Sequence, residues 1–156
     1  MKCFMIFGLA LAVLAGCGPS AQETNVAKPA ENAVDAFHKA LTDGDTEQAM
    51  ALLADDVLIY ESGYAETSKA EYASHHLEAD MAFLKGVKQS VSARSAQAGG
   101  DFAWVTSKGE TIGTYKDKAI DSASTETMVL RRNAGQWKIV HIHWSSADNK
   151  PKAPAS

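Results

Sequence analysis

The sequence predicts an α+β domain in which three helices from the N-terminal half pack on the concave face of a cone-shaped, curved antiparallel sheet. Two observations predict this class. Apolar residues recur at helical spacing before Gly86, and runs rich in β-branched and aromatic residues follow it. The predicted elements therefore come in the order helix, helix, strand, helix and four strands, and no segment repeats.

The predicted helices have recognisable ends. Val34, Phe37 and Leu41 recur at helical spacing before the stop signal at residues 43–45. A short second helix is predicted over residues 46–54, with Thr46 as its cap. A third begins at the capping box formed by Ser68 and Glu71 and ends near Leu84.

The predicted strands are separated by turn signals. Gly99-Gly100-Asp101 and Asn133-Ala134-Gly135 are typical of tight turns between antiparallel neighbours. We predict strands over residues 57–60, 87–98, 102–115, 125–132 and 137–145.

The N-terminus has the features of an export signal. Lys2 gives a positive start, and residues 4–16 are apolar or small but too few to span a bilayer, which takes about 20 residues. The run Leu14-Ala15-Gly16-Cys17 resembles the bacterial lipobox. The resemblance implies that residues 1–16 are a cleaved signal peptide and that Cys17 carries a lipid anchor in the cell envelope. Gly18, rather than Asp, follows the cysteine, which by the same resemblance favours the outer over the inner membrane.

The rest of the chain divides by composition. Residues 17–32 contain almost no large apolar residue and are predicted to be a flexible tether, and residues 148–156 a disordered tail. A single domain is expected over residues 33–147.

Cysteine usage and charge exclude several classes of function. Cys3 leaves with the predicted signal, so the domain has neither a disulfide nor a catalytic thiol. Without Lys2, 14 basic residues face 19 acidic ones, and a net charge of −5 with no basic patch makes nucleic acid an unfavourable partner.

Two parts of the domain resemble the nuclear transport factor 2-like superfamily, in its SnoaL-like branch. Residues 36–45 and 52–57 are similar to that family's opening, and residues 126–145 to its closing hairpin. The hairpin also resembles the association domain of calcium/calmodulin-dependent kinase II, although Trp144 stands where that domain has Arg. The superfamily includes isomerases, hydrolases, cyclases, binding modules and oligomerisation domains, so the resemblance implies a fold rather than one activity.

Polar residues at inward positions predict a site. His76 and Asp80 interrupt the apolar face of the third helix, and Glu126 shares a strand face with apolar neighbours. His141 and His143 are two residues apart and therefore point to one face of the last strand. Because the resembled fold lays the third helix across the concave face, we predict that these five side chains line one pocket. Four aromatic residues are expected to form its apolar wall: Tyr72, Phe83, Trp104 and Trp137.

The pattern leaves several functions open. The polar cluster could be only a buried network that braces the fold. The favoured hypothesis is a small-molecule pocket without turnover, ahead of a zinc or copper site formed by His76, Asp80, His141 and His143. A further alternative is an acid–base enzyme, an isomerase or hydrolase, with His76 and Asp80 as its catalytic pair.

The last strand also suggests an assembly. By alternation Trp137 and Trp144 lie on opposite faces, so one fills the core and the other is free to meet a second subunit. We therefore predict a homodimer formed through the sheet, with Trp144 opposite His141 and His143.

Overall fold

The computed structural model describes residues 21–149, and the side chains of residues 26–149. The predicted signal peptide, Cys17 and residues 150–156 of the predicted tail lie outside the described residues. The helices are α1 (Ala21–Asp43), α2 (Thr46–Leu52), α3 (Lys69–His75) and α4 (Leu77–Gly86). The strands are β1 (Leu53–Glu61), β2 (Tyr64–Glu66), β3 (Val87–Gly99), β4 (Phe102–Tyr115), β5 (Lys118–Asn133) and β6 (Gln136–Asp148).

The six strands form one curved sheet in the order β2-β1-β6-β5-β4-β3. Neighbours are antiparallel except for β1 and β6, which pair in parallel. The predicted α+β class is confirmed, with helices on one face of the sheet. Within residues 21–149 no helix combines the length and the apolar character that crossing a membrane requires.

Helix α1 includes residues 21–32, which were predicted to belong to a flexible tether. The helix begins at Ala21, and Ala27 and Ala30 are buried ahead of Val34 and Phe37. These residues follow a 3-4-3 spacing on one face, so a stripe of alanines extends the apolar face toward the N-terminus. The prediction counted only large apolar residues and therefore missed this stripe, although its alanines are buried.

The third predicted helix is two helices that meet at His76. Ser68 caps α3 as predicted, because its Oγ accepts a hydrogen bond from the backbone N–H of Glu71. His76 ends α3 and precedes α4, with φ −113° and ψ −30°. Helix α2 differs at its start: Asp45, not Thr46, caps it by accepting from the N–H of Gln48.

The other differences lie at strand ends. β1 starts at Leu53, inside the second predicted helix, and the three-residue strand β2 was not predicted. β5 begins at Lys118 rather than at residue 125, because it pairs with β4 along its whole length as far as Tyr115. β6 extends to Asp148, so the predicted tail starts later than residue 148.

Side-chain size divides the inner face of the sheet in two. On β5 the inward positions Met128 and Leu130 belong to the core, whereas Ser122 and Ser124 leave space. On β4 Val105 lies in the core and Gly109 lines a cavity. The helices thus pack directly on large side chains at one end of the sheet and leave a space above the small side chains at the other end.

Candidate functional site

A cavity of about 180 Å³ lies between the helices and the small-residue end of the sheet. Helices α1 and α4 contribute the apolar side chains of Leu41, Phe83 and Leu84. The sheet contributes a wall that is mainly polar. The charged side chains that face the cavity, together with one histidine, are His38, Glu61, Asp80, Arg94 and Glu126; Lys108 also lines it, but alternates with the inward Ser107 and Gly109.

One row of residues crosses the inner face of five strands. Glu61 of β1 is in register with Trp144 of β6, which is opposite Glu126 of β5. Glu126 is opposite Ser107 of β4, and Ser107 is opposite Arg94 of β3. All five line the cavity. The pairing of the strands therefore brings together residues that are up to 83 positions apart in the chain, as for Glu61 and Trp144.

Glu126 lies at the centre of that row and is held by two donors. Its Oε2 lies 2.8 Å from His38 Nε2 on α1 and accepts a 2.8 Å hydrogen bond from Trp144 Nε1. Its side chain is only 9% exposed, and Oε1 has no hydrogen-bond partner. Burial acts to raise the pKa of Glu126, but the hydrogen bond and charge of His38, with Trp144 and the more distant Arg94, lower it overall.

Arg94 reaches the cavity from β3 and is itself paired. Its guanidinium contacts Asp35 of α1, and its Nε donates a 3.1 Å hydrogen bond to Ser107 Oγ. These contacts tie α1 to the sheet at the edge of the cavity.

Asp80 and Glu61 form a second acidic area. Tyr72 is fully buried, and its hydroxyl donates a 2.8 Å hydrogen bond to Asp80 Oδ2. Burial raises the pKa of Asp80 despite that bond and the nearby His76. Burial, and next the charge of Asp80, raises the pKa of Glu61. Burial and then Asp80 raise the pKa of Tyr72, so the phenol stays protonated and remains a donor.

A smaller cavity of about 120 Å³ adjoins the first, and Glu61, Asp80 and Trp144 line both. In the smaller cavity Nδ1 of His76 contacts Oε1 of the buried Glu66. The predicted His76–Asp80 pair is therefore wrong in its partners: Glu66 orients His76, and Tyr72 orients Asp80. His76 and Asp80 are still one helical turn apart, since the N–H of Asp80 donates a 2.9 Å hydrogen bond to the carbonyl of His76, but their side chains contact Glu66 and Tyr72 instead of each other.

The prediction that His141 and His143 share this pocket is wrong. Ile142 and Trp144 of β6 face the helices, so His141 and His143 face away from them. His141 packs edge-to-face against Tyr60, which is 42% exposed, and its Nδ1 lies 3.0 Å from the carbonyl of Leu58. The side chains of His76 and His141 are on opposite sides of the sheet.

The zinc or copper site predicted from His76, Asp80, His141 and His143 is wrong for the same reason. The sheet separates the two pairs of ligands. Among the side chains of residues 26–149, no group of three or more His, Cys, Asp and Glu is arranged to hold a metal ion.

The predicted aromatic wall is also only partly right. Phe83 lines the larger cavity and Tyr72 the smaller one. Trp137 packs on the core beneath Arg132, and Trp104 lies on the outer face. A β-bulge at Val140 puts Trp137 on the same face as Trp144, contrary to the alternation that predicted opposite faces. Trp144 therefore meets Glu126 and not a second subunit.

Three site residues were missed by the sequence reasoning. His38 lies four residues after Val34 and three before Leu41, on the edge of the apolar stripe, and that spacing could have identified it. Arg94 and Glu66 carried no comparable signal, because their inward direction depends on a bulge after Val91 and on the unpredicted strand β2.

Comparisons with known proteins agree with this fold. The family model of the SnoaL-like domain matches residues 30–149. A candidate ketosteroid isomerase from Shewanella frigidimarina NCIMB 400 is 46% identical, with 75% of this chain and 94% of that chain covered and a TM-score of 0.73. A candidate dehydratase of the nuclear transport factor 2-like family from Streptomyces avermitilis is 19% identical, with 80% and 97% covered and a TM-score of 0.65. The CaMKII hub of S. rosetta is 24% identical, with 85% and 100% covered and a TM-score of 0.65. No curated protein matches the chain significantly.

Proposed function

Because the chain belongs to the SnoaL-like domain family, we propose that its larger cavity binds a small organic molecule. The observation that carries the proposal is the composition of the cavity, in which apolar side chains of α1 and α4 face a polar wall on the sheet. Pockets that bind organic ligands combine an apolar lining with a few polar groups that fix the orientation.

The size of the cavity fits such a ligand. An engineered cavity of about 150 Å³ holds a benzene ring, and this cavity of about 180 Å³ is larger. Its apolar wall includes Phe83, whose ring lies 5.3 Å from that of Tyr115 in an edge-to-face contact. A molecule with at least one ring therefore has room between the helices and the sheet.

The experiment is to release and identify what the protein carries. Full-length protein is denatured, and the small molecules that it releases are measured by mass spectrometry. Ser124→Phe fills the cavity from the inner face, whereas Ala123→Phe adds the same side chain to the outer face of the same strand. We expect one compound in near-stoichiometric amount from the wild type and Ala123→Phe, and a loss in Ser124→Phe. No bound compound in the wild type, or equal amounts in both variants, would contradict the proposal.

A second candidate function is proton transfer on a carbonyl compound. Asp80 and Glu61 are neighbouring carboxyl groups that both titrate above their ordinary pKa, as suits general acid–base catalysis. The 46% identical relative named as a candidate ketosteroid isomerase supports this chemistry. In such an isomerisation a carboxylate removes a proton beside the carbonyl and returns it to the far carbon of the double bond.

This activity has a direct assay. A β,γ-unsaturated ketosteroid gains ultraviolet absorbance when its double bond moves into conjugation. We expect turnover by the wild type and by Glu110→Gln, an exposed control, and a loss in Asp80→Asn. The absence of turnover in the wild type would leave binding as the function.

We also propose that Cys17 anchors the domain to the cell envelope, facing the periplasm. The lipobox-like run before Cys17 supports this anchor. Helix α1 is already formed at Ala21, four positions after Cys17, which would keep the domain close to the membrane.

The outer face of the sheet supports a homodimer. Trp104, Val129, His141 and Leu58 follow one another in register across four strands. Trp104 is 37% exposed and Leu58 39%, whereas the outer face of a solvated antiparallel sheet is normally polar. A second copy would cover this row, which is apolar except for His141, with an equivalent one. The similarity in fold to the CaMKII hub is consistent with assembly through this kind of domain.

A further inference from the structure

Glu126 carries a buried carboxylate oxygen that nothing in the described residues satisfies. Oε2 takes both available donors, from His38 and Trp144, and Oε1 has none. Buried polar atoms are nearly always hydrogen-bonded, and a buried charge without a donor is strongly unfavourable. Oε1 is itself covered by protein atoms. Because Glu126 lines the larger cavity, a rotation of its carboxylate toward a molecule bound there would let that molecule supply the missing donor.

The nearby cationic side chains cannot easily fill this role. Arg94 is engaged with Asp35 of α1 and with Ser107. His38 already faces Oε2 rather than Oε1. Lys108 of β4 is exposed and alternates with the inward Ser107 and Gly109, so its side chain points away from Glu126. No cation of the wall therefore completes the carboxylate.

The rest of the wall adds negative rather than positive character. Glu61 and Asp80 line the same cavity, and Trp144 lies between Glu61 and Glu126 in the row described above. Three carboxyl groups thus come from β1, α4 and β5, and the apolar side chains of Leu41, Phe83 and Leu84 lie opposite.

We infer that the occupant of the larger cavity is an organic cation, an amine on an apolar body, whose ammonium group donates to the carboxylate of Glu126. The inference rests on the proposed binding function and names its ligand class. The ring or chain of the amine packs against α1 and α4, while the charged end meets the acidic wall. Glu126 is then the residue that distinguishes an amine from a neutral compound of the same shape.

The electrostatics of the wall agree with this class. The lowered pKa of Glu126 keeps it ionised near neutral pH, when it can only accept hydrogen bonds. The pKa values of Glu61 and Asp80 are raised, and a bound cation would lower them. Binding is therefore expected to release protons, whereas binding of a neutral compound is not.

The test uses three probes of one shape. 2-Naphthylmethylamine, 2-naphthylmethanol and 2-naphthoate are titrated into full-length protein by calorimetry near pH 7, in two buffers of different ionisation enthalpy. We expect the amine to bind about tenfold or more tightly than the alcohol, because a hydrogen bond between charged groups contributes about 1.5–3 kcal/mol. The naphthoate is expected to bind most weakly.

Variants assign the effect to Glu126. Glu126→Gln keeps the shape and removes the charge, and should weaken the amine about tenfold or more while changing the alcohol much less. Glu110→Gln removes an exposed carboxylate from the same sheet and should change neither. If circular dichroism shows that Glu126→Gln does not fold, the wild-type ratio of amine to alcohol and the proton release decide the question.

The outcomes separate the two proposals. If none of the probes binds, the proposed binding function fails and the inference with it. If the alcohol or the naphthoate binds as tightly as the amine, the cavity binds organic molecules but the assignment of a cation is overturned. Equal loss of amine and alcohol in Glu126→Gln would likewise show that Glu126 only shapes the cavity.

Discussion

The indole Nε1 of Trp144 donates a 2.8 Å hydrogen bond to Oε2 of Glu126, from the strand position directly opposite. The contact lies on the face of β6 that points to the helices, where Ile139 and Ile142 are buried. With Trp144 on that face, His141 and His143 lie on the outside of the sheet. The cavity is therefore rich in carboxyl groups and not in histidines.

The contact between His38 and Glu126 should stabilise the fold in a pH-dependent way. His38→Ala removes a donor from a buried carboxylate, and we expect a loss of about 1–3 kcal/mol of unfolding free energy at pH 7. The folded pKa of Glu126 lies below its ordinary value of 4.5. Its stabilising effect is therefore full above 4.5 and is lost as the pH falls through the folded pKa. Urea unfolding at several pH values tests this, with the exposed His75→Ala as control. An equal cost at low and neutral pH would show that the charge of Glu126 is not involved.

Ionised Asp80 is expected to destabilise the fold, in contrast to ionised Glu126. Its folded pKa is raised above the ordinary 3.8, so ionisation favours the unfolded chain as the pH rises from that value through the folded pKa. Asp80→Asn removes this cost and can still accept a hydrogen bond from Tyr72. We expect the melting temperature at pH 7 to rise by about 2 °C or more, with no gain below pH 3.8. A lower melting temperature at pH 7 would mean that the carboxylate stabilises the fold.

Gly109 is required by the close approach of β3 to β4. A Cβ at this position would lie 2.1 Å from the carbonyl oxygen of Ser90, whereas one at Gly99 would meet nothing within 4 Å. We expect Gly109→Ala to cost about 1–3 kcal/mol, as overpacking does, and Gly99→Ala to stay within about 0.5 kcal/mol. Chemical denaturation measures both. Similar values for the two variants would show that the bulge after Val91 relaxes freely.

The outer face is expected to hold the proposed homodimer together. Trp104→Glu puts a charge into its apolar row and should convert a dimer into a monomer in sedimentation experiments. Val26→Glu makes the same kind of change at an exposed site on α1 and should leave the dimer intact. A wild-type monomer at about 100 μM, well above a micromolar dissociation constant, would contradict the dimer.

The anchor is tested by fractionation. Cys17→Ser removes the thiol that takes the lipid, and the protein should then leave the membrane fraction. The variant would carry no acyl chain on residue 17, whereas stable anchoring needs more than one. Alkaline or salt washing of membranes, followed by immunoblotting, gives the result. A variant that still sediments with membranes after washing would show that Cys17 is not the anchor.

Much of the fold could be predicted because its signals are local. The apolar spacing of Val34, Phe37 and Leu41, the capping box at Ser68 and the turn at residues 133–135 each act over a few residues. Each of these signals forms its structure through nearby backbone atoms and does not depend on distant parts of the chain. The Oγ of Ser68, for example, accepts a hydrogen bond from the N–H of Glu71, three residues later.

The site was predictable only in part, because the positions of its residues depend on the pairing of distant strands. Glu126 was correctly placed on the inner face, since its neighbours Met128 and Leu130 are apolar and alternate with it. The alternation on β6 is interrupted by the bulge at Val140, and no residue type in the sequence indicates a bulge there. Trp137 was correctly predicted to point inward, but unbroken alternation from it placed His141 and His143 on the inner face and Trp144 on the outer one, and those three faces are wrong.

By itself the sequence determined the α+β class, the order of the main elements and the inward direction of Glu126, because periodicity and capping depend on neighbouring residues. Only the tertiary structure decided which distant residues meet. The row from Glu61 through Trp144 and Glu126 to Arg94 exists because β1 pairs in parallel with β6 and each later strand pairs in one register. Register and bulges are set by the packing of the whole sheet against the helices, and a shift of one residue would turn every one of these side chains to the other face.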